Sequence, residues 1–372
     1  MEIELSIVMP CLNEAETIEK CIKKASQFLS AYNISGEIVI GDNGSTDGSQ
    51  DIAKGLGAKV IHVPVKGYGS ASRCAIEASR GKFIITADTD DSHDLVNLEP
   101  FLDKLRAGSD LVVGNRFKGG VDKESMPFLH RYIGNPVLTF LGNLFFKTSI
   151  GDFHCGLRGI SRIAFDKLNL TTSGMEFASE MIVKASLANF RITEVPTKVY
   201  PAGRSRKSHL RTFPDGWRHL RFLLLYSPRW LFLFPGLILF FVGIIGYITL
   251  MLKSNIWELK NALIFLIMVF LGFQFAVFYA LTKIFAISNG LIPKGTNYKK
   301  VFRYFNLERG LLLGFGLAAL GLVLYVFSLF EGDNVANFKQ TLTSVMSLVL
   351  GIQIILFSFF FSILGLKDNN DS

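Results

Sequence analysis

Residues 86–94, which read TADTDDSHD, contain four aspartates, of which Asp88 and Asp90 stand at alternate positions. Asp88 and Asp90 flank Thr89 directly after the apolar run FIIT, so the spacing places two carboxylates on one turn at the end of a predicted strand. Two such carboxylates can hold one hard cation, and oxygen ligands suit Mg²⁺ or Mn²⁺. A bound cation would neutralise a diphosphate that the acids alone would repel. The alternative for an isolated Asp-x-Asp is a turn or helix-capping role.

Two further polar clusters also follow apolar runs, at residues 13–14 and 42–47. The pattern predicts strands at 5–10, 38–42, 59–63, 83–88 and 111–115, with helices at 13–32, 46–56, 70–80 and 95–106. This alternation is typical of an α/β domain with a mostly parallel sheet. Ligands of such sheets bind beyond the carboxyl ends of the strands. We therefore expect the three polar clusters to converge at one edge of the sheet.

The composition indicates a membrane-bound second part. Hydrophobic residues make up 49% of the 372 residues and charged residues only 19%, a balance that excludes a disordered chain. Four cysteines, none in a CxxC pair, argue against a disulfide scaffold or a zinc site. Four stretches long enough to cross a bilayer carry no charged side chain, and they lie near 231–252, 261–282, 310–330 and 340–366. The alternative is that these four stretches form a large buried core.

The loops between these spans predict the orientation of the chain. The second and third spans are separated by a loop rich in positive charge, whereas the loop between the third and fourth has only Lys339 beside two acids. The positive-inside rule then places the middle loop, both termini and the soluble domain on the cytoplasmic side of a multi-pass membrane protein. Arginines interleaved with aromatic residues before the first span predict a helix lying on anionic lipid, with a charged connector as the alternative. The predicted domains are therefore 1–213 (α/β), 214–230 (basic amphipathic juxtamembrane segment) and 231–372 (transmembrane).

Six motifs occur in an order that resembles family 2 glycosyltransferases. They are PCLNE at 10–14, GDNGSTDGS at 41–49, KGYGSA at 66–71, DTD at 88–90, GNRF at 114–117 and HCGLRG at 154–159. The chain is similar to the polyprenyl-phosphate sugar synthases of that family, such as dolichyl-phosphate mannose or glucose synthase. The resemblance covers the whole soluble domain, and the four-span tail resembles membrane-anchored members. It implies a GT-A fold, which is Rossmann-like with a mostly parallel sheet, and an inverting sugar transfer.

The resemblance also implies a donor site. Its expected members are Pro10, Asn13, Glu14, Asp42, Gly67, Asp88 and Arg204, with Asp88, Asp90 and Ser92 as ligands of Mg²⁺ or Mn²⁺ and Asp90 in a catalytic role. Two positions on the donor side depart from the pattern of the relatives, and on the acceptor side Asn135 stands where they have serine. Asn43 stands where a second aspartate is frequent, and Ser92 stands where a glutamine occurs.

The expected acceptor is a polyprenyl phosphate, dolichyl or undecaprenyl. Its second phosphate pKa of about 6 leaves it largely ionised near neutral pH, so it needs positive charge rather than a general base. The resemblance assigns Arg116 and Arg131 to this phosphate as catalytic residues, together with Asn135 and Lys207. For each arginine the alternative is a solvated surface charge.

Three other residues have open roles. Asp152 is expected either to orient an arginine or a sugar hydroxyl, or to form a turn. Glu180 matches a carboxylate near the site of the relatives, with an ordinary acid on a helix face as the alternative. His93 is a candidate ligand, with helix capping as the alternative.

The expected reaction transfers a sugar from a GDP- or UDP-linked donor to a polyprenyl phosphate, for glycan or glycoconjugate assembly. The expected partners are the donor, the lipid acceptor and the bilayer, without nucleic acid. Glycine-rich spans permit a homo-oligomer without requiring one. A processive polysaccharide synthase is the first alternative, although the Gln-x-x-Arg-Trp motif of that class is absent from the sequence. The second alternative is a non-catalytic protein that binds or translocates lipid-linked sugars.

Overall fold

The chain folds into two compact units, Met1–Tyr226 and Ser227–Ser372. The computed structural model describes residues 2–122, 125–206, 211–252, 261–288, 307–330, 332 and 334–366. The first unit contains all six sequence motifs, and the second contains the long apolar helices.

A seven-stranded mixed sheet forms the centre of the first unit. Its strands are β1 (Leu5–Cys11), β2 (Gly36–Asp42), β3 (Lys59–His62), β4 (Phe83–Thr86), β5 (Leu111–Asn115), β6 (Arg158–Ser161) and β7 (Ile192–Pro196). They lie in the order β3-β2-β1-β4-β6-β5-β7, and every neighbouring pair is parallel except those made by β6, which is antiparallel to β4 and β5. The predicted α/β domain with a mostly parallel sheet is confirmed.

Helices cover both faces of this sheet. They are α1 (Ile18–Ala31), α2 (Ser49–Gly55), α3 (Tyr68–Ala78), α4 (Glu99–Arg106), the short α5 (Arg116–Gly119), α6 (Asn135–Phe146), α7 (Arg162–Leu168), α8 (Phe177–Leu187) and α9 (Thr212–Leu225), with a π-helical turn at His130–Gly134 before α6. Alternate β1 residues point to opposite faces. Ile7 packs in the cluster that contains Phe28 and Phe101, and Val8 packs in the cluster that contains Phe153.

The first helix begins later than the sequence predicts. The expected helix at 13–32 starts only at Ile18, because Asn13 has a φ of 57° and is not helical. The Asn13 side chain instead accepts a hydrogen bond from the Thr46 N–H at 2.8 Å. This leaves the segment after β1 as a loop at the sheet edge, where it can line a site.

The second unit contains four helices with the length and hydropathy needed to cross a membrane, among the residues described. They are Arg229–Met251, Ala262–Ile287, Leu307–Ser328 and Val335–Leu364, and each overlaps one of the predicted spans. The first two pack against each other, as do the last two. The Tyr247 hydroxyl lies 2.9 Å from the Thr343 hydroxyl and joins the first helix to the fourth.

Candidate active site

The carboxyl ends of β1 and β4 are joined through the residue between the two aspartates. The Thr89 hydroxyl donates to the Pro10 carbonyl oxygen at 2.8 Å, and the Thr17 hydroxyl donates to the Thr89 carbonyl oxygen at 2.7 Å. Both hydrogen bonds are buried. The structure therefore places Asp88 and Asp90 beside the PCLNE segment.

Asp88 is held by His93, from its own acidic segment, and by Tyr68, from the KGYGSA motif. The Nε2 atom of His93 lies 3.1 Å from its Oδ2, and the Tyr68 hydroxyl faces the same carboxylate. Burial opposes the charge, but the contacts with His93 and Tyr68 outweigh it and lower the pKa of Asp88. A Cβ at Gly156 would lie 2.5 Å from Asp88 Oδ2, so the HCGLRG motif packs directly against the DTD motif. His93 thus positions Asp88, and α4 has Leu98 rather than His93 at its N-cap.

Arg204 bridges two acidic side chains at the start of this site. Its Nη1 lies 2.7 Å from Glu14 Oε1, and its Nη2 lies 3.2 Å from Asp90 Oδ2. Burial raises the pKa of Glu14, although the charges of Arg204 and Arg206 oppose that shift. Ser92 donates its hydroxyl to Asp90 Oδ1 at 2.6 Å. Four predicted site residues, Glu14, Asp90, Ser92 and Arg204, therefore form one network. Arg206 also belongs to this network through Glu14, and the sequence did not identify it as a site residue.

Asp42 shapes a turn at the end of β2. Its carboxylate accepts the Gly44 N–H at 2.9 Å and the Gln50 side-chain amide at 2.7 Å, and it is only 1% exposed. The turn that it organises lies against Asn13 through the hydrogen bond from Thr46. Asp42 therefore fixes this turn at the edge of the sheet, and its direct contact with a nucleotide stays a prediction.

Asn43 fixes the loop that contains Gly67. Its amide donates to the Val63 carbonyl oxygen at 3.0 Å, and its side-chain oxygen accepts the Gly67 N–H at 2.6 Å. Gly67 has a φ of 136°, and a Cβ there would lie 2.1 Å from the Ser173 carbonyl oxygen. Only glycine fits this position without strain.

Asp152 orients Arg116 at the end of β5. Its Oδ2 accepts from Nε at 2.6 Å, and its Oδ1 accepts from Nη2 at 2.9 Å. Burial alone would lower the pKa of Arg116, but Asp152 raises it, so the guanidinium stays charged. Among the described residues the Nη1 atom has no hydrogen-bond partner, which leaves one edge of the guanidinium for a second anion. Asp152 Oδ1 also accepts the His154 N–H at 3.1 Å, so the structure shows both roles that were open for Asp152, the orientation of an arginine and a turn.

Arg131 and Asn135 lie on the π-helical turn and at the first residue of α6. The Arg131 guanidinium lies 5.4 Å from the centre of the Tyr132 ring. Burial and, to a smaller extent, the charge of Arg116 lower the pKa of His130 on the same turn. Lys207, the fourth predicted acceptor residue, lies outside the described residues.

Glu180 has a supporting role on α8. It is fully buried, and Lys184 lies 2.8 Å from its Oε1. It accepts the N–H groups of Thr171 and Thr172 at 2.9 Å each. These bonds fix the loop that presents the Ser173 carbonyl oxygen to the Gly67 loop, so Glu180 supports the Gly67 loop indirectly.

The donor set at Asp88 and Asp90 fits a magnesium-type cation. No group of three or more His, Cys, Asp or Glu side chains gathers as a metal cage within the described ranges. Mg²⁺ is commonly held by one or two carboxylates and completes its octahedron with substrate phosphates and water. Asp88 and Asp90, two carboxylates that follow β4, supply that number of protein ligands.

Known families and proteins are similar to both units of the chain. Residues 6–168 match the family model for glycosyl transferase family 2, and residues 280–365 match the glycosyltransferase family 2 C-terminal transmembrane region. The chain is 34% identical to the low-salt glycan biosynthesis hexosyltransferase Agl6 of Haloferax volcanii, over 97% of this chain and 89% of that protein. It is 29% identical to a dolichyl-phosphate hexose transferase of the same organism, over 52% of this chain and 81% of that protein.

A solved structure is also similar to part of this chain. Glucosyl-3-phosphoglycerate synthase from Mycobacterium tuberculosis, in complex with Mn²⁺ and UDP-glucose, is 21% identical over 60% of this chain and 79% of that chain, with a TM-score of 0.46. The match to Agl6 over nearly the full length of both proteins, together with the two family models, shows that the chain belongs to glycosyltransferase family 2.

Proposed function

We propose that this glycosyltransferase transfers a hexose from a nucleotide-sugar to a polyprenyl phosphate with inversion at the anomeric carbon. The observation that carries the proposal is the contact between Gly156 and Asp88. It joins an acidic half-site, suited to a cation and a diphosphate, to the loop that holds the Asp152–Arg116 pair, which is suited to a second phosphate. A reaction between two phosphorylated substrates needs both halves.

The donor half-site would contain Asp88 and Asp90 as ligands of Mg²⁺ or Mn²⁺. The cation would supply charge neutralisation for the diphosphate of the donor and of the departing nucleoside diphosphate. His93 and Tyr68 keep Asp88 oriented, and Ser92 does the same for Asp90. Pro10, Asn13, Glu14, Asp42, Gly67 and Arg204 would surround the nucleotide.

Arg116 would bind the acceptor phosphate through its uncommitted edge, with Arg131, Asn135 and Lys207 as further contacts. An oxygen of the phosphate forms a bond to the anomeric carbon while the bond from that carbon to the diphosphate oxygen breaks. The bonding electrons leave with the nucleoside diphosphate, and no proton has to move because the phosphate is already ionised. Attack opposite the leaving group inverts the configuration, and catalysis arises from positioning and charge stabilisation.

The lipid nature of the acceptor is supported by the four membrane helices and by the dolichyl-phosphate hexose transferase relative. A hexose is supported by the Agl6 relative, which is named a hexosyltransferase. The charges of the loops support a cytoplasmic first unit and cytoplasmic termini.

The test is a transfer assay with the purified full-length chain. It would be incubated with Mg²⁺ or Mn²⁺, a polyprenyl phosphate and a panel of labelled GDP- and UDP-sugars, and label entering the organic phase would be measured. Label from one donor, lost in Asp90→Ala, is the expected result and identifies the sugar. No transfer from any hexose donor to dolichyl or undecaprenyl phosphate, by a folded chain, would contradict the proposal.

A further inference from the structure

A short segment at residues 203–206, here called the arginine clasp, is fastened across the donor half-site. The Gly203 N–H donates to the Asp90 carbonyl oxygen at 2.9 Å. Ser205 binds Glu16 twice, through its N–H and its hydroxyl, each at 2.6 Å. These contacts join parts of the chain that are more than a hundred residues apart in sequence, so the clasp is a tertiary feature and not a local turn.

The two arginines of the clasp occupy the acidic end of the site. Arg204 bridges Glu14 and Asp90, and its side chain is only 11% exposed. Arg206 donates from Nε to the Asn13 carbonyl oxygen at 2.9 Å and also pairs with Glu14. Guanidinium groups are well suited to such bridges because their donors are fixed in a plane.

Arg204 and a divalent cation would compete for the same oxygen of Asp90. Oδ2 of Asp90 pairs with Arg204, whereas a divalent cation at Asp88 and Asp90 needs the carboxylate for itself. A guanidinium and a dication repel each other, so both cannot stay on Oδ2 at close range. A cavity of about 300 Å³ is lined by both clasp arginines together with Asn13, Glu14 and Asp47. A diphosphate that enters it would therefore meet both guanidinium groups.

We infer that the arginine clasp holds the empty donor site by substituting for the cation, and that donor binding moves Arg204 from Asp90 to the donor diphosphate. The inference rests on the proposed function, because it takes the nucleotide-sugar with its cation as the ligand. In the empty site Arg204 neutralises Glu14 and Asp90. In the loaded site the cation neutralises Asp90, and the released guanidinium binds the diphosphate.

The test measures Mn²⁺ binding to the full-length chain in detergent, by the electron paramagnetic resonance signal of free Mn²⁺. Arg204→Gln is expected to bind Mn²⁺ alone about tenfold more tightly than the unsubstituted chain, since a charged hydrogen bond no longer competes. With GDP or UDP present the order reverses, because the variant lacks a phosphate contact. Arg204→Lys keeps one charge without the bridge and should lie between the two. Arg106→Gln, which removes the surface pair with Glu4, should match the unsubstituted chain in both conditions.

An Arg204→Gln variant that is folded, as shown by its thermal unfolding, and binds Mn²⁺ alone no more tightly than the unsubstituted chain would overturn the clasp. Absence of Mn²⁺ binding in every variant, with and without nucleotide, would overturn it too. The transfer assay is scored separately. A reversed order of affinities without sugar transfer would support the clasp and refute the proposed reaction, whereas transfer with unchanged Mn²⁺ affinities would refute the clasp alone.

Discussion

The His219 ring of α9 packs edge-on against the ring of His154 in the HCGLRG motif, with 4.6 Å between centroids and 89° between planes. The Nδ1 of His219 lies 2.8 Å from the Ser179 hydroxyl on α8. The contact joins α9 to the loop that contains Asp152. Both imidazoles are buried, and the pKa of each is lowered, chiefly by burial; that of His219 falls to about 4.

This pair predicts a loss of stability in mild acid. A histidine whose pKa is lower in the folded state stabilises the fold above its unfolded pKa of about 6.5, and that stability is lost as the pH falls towards the folded value. For His219 the loss between pH 6.5 and about 4 amounts to about 3 kcal/mol, because one pKa unit is about 1.4 kcal/mol. The charge of Asp215 raises the pKa of His219, and the charge of Arg158 lowers it.

The measurement is the thermal unfolding of the full-length chain between pH 7.5 and 4.5, compared with His219→Phe. The variant keeps a ring against His154 but has no proton to gain, so its midpoint should fall less steeply with acid. Equal slopes for the two proteins would show that His219 does not contribute.

Asp152→Asn should weaken use of the acceptor more than binding of the donor. Asparagine cannot accept both guanidinium hydrogen bonds, so Arg116 loses its fixed orientation. We expect the KM for the polyprenyl phosphate to rise by about tenfold or more, while nucleotide affinity in calorimetry stays unchanged. The control is Asp110→Asn, which lies just before the opposite end of β5 and bonds the Arg191 N–H. An equal loss of nucleotide affinity in Asp152→Asn would contradict the acceptor role.

Gly67→Ala should damage the donor side. The new Cβ would lie 2.1 Å from the Ser173 carbonyl oxygen at a φ of 136°. Strain of this kind costs of order 1–3 kcal/mol, so both the unfolding midpoint and the nucleotide affinity should fall. Gly55→Ala is the control, because nothing lies within 4 Å of a Cβ there. A Gly67→Ala protein as stable as Gly55→Ala would show that the loop adjusts to the new Cβ without a cost in stability.

Glu180→Gln should destabilise the first unit. The carboxylate is fully buried and accepts from Lys184, Thr171 and Thr172, so the amide would leave Lys184 without its carboxylate and place N–H against N–H. Breaking a buried pair in this way costs about 3–5 kcal/mol. The control is Glu77→Gln, since the Glu77 side chain is 56% exposed and a surface change usually lies within about 0.5 kcal/mol. Chemical denaturation of both variants measures the difference, and similar midpoints would argue against a structural role for Glu180.

Gly332→Cys tests the orientation of the membrane helices. Gly332 is exposed between the third and fourth helices, on the side that the loop charges place outside the cell. A membrane-impermeant maleimide should label this variant in intact cells. The unsubstituted chain is the control, because its four cysteines all lie in the first unit and three are buried. Labelling only after permeabilisation would reverse the predicted topology.

The sequence best predicted the elements that a local run of residues is enough to define. Strand β5 begins and ends where its apolar run does, at Leu111 and Asn115. Strand β6 was missed because its four residues, RGIS, include a buried arginine and show no strand pattern. Arg158 is tolerated there because main-chain carbonyl oxygens satisfy it, including that of Cys155 at 2.8 Å.

The contacts inside the site depend on tertiary structure. Both Arg116 and Asp152 stood out as motif residues, but their pairing across 36 positions follows from the place of β6 in the sheet. The link from Arg204 to Glu14 spans 190 positions and has no local pattern at all. Tyr68 was visible within KGYGSA, yet nothing in that motif indicates Asp88 as its neighbour.

The antiparallel strand β6 lets the segment that contains Arg116 and Asp152 leave the sheet and return to it at one place, beside the strand that it left. Residue 113 of β5 pairs with Arg158 at the start of β6, so residues 116–157 leave the sheet and return to it at the same edge. The middle of this segment packs in the core, since Phe153 lies in the same cluster as Val8 of β1, but Phe128 and Tyr132 are exposed. Exposed positions of the segment can change without moving the strands that flank it, so this surface can vary while the contacts between β1 and β4 stay in place.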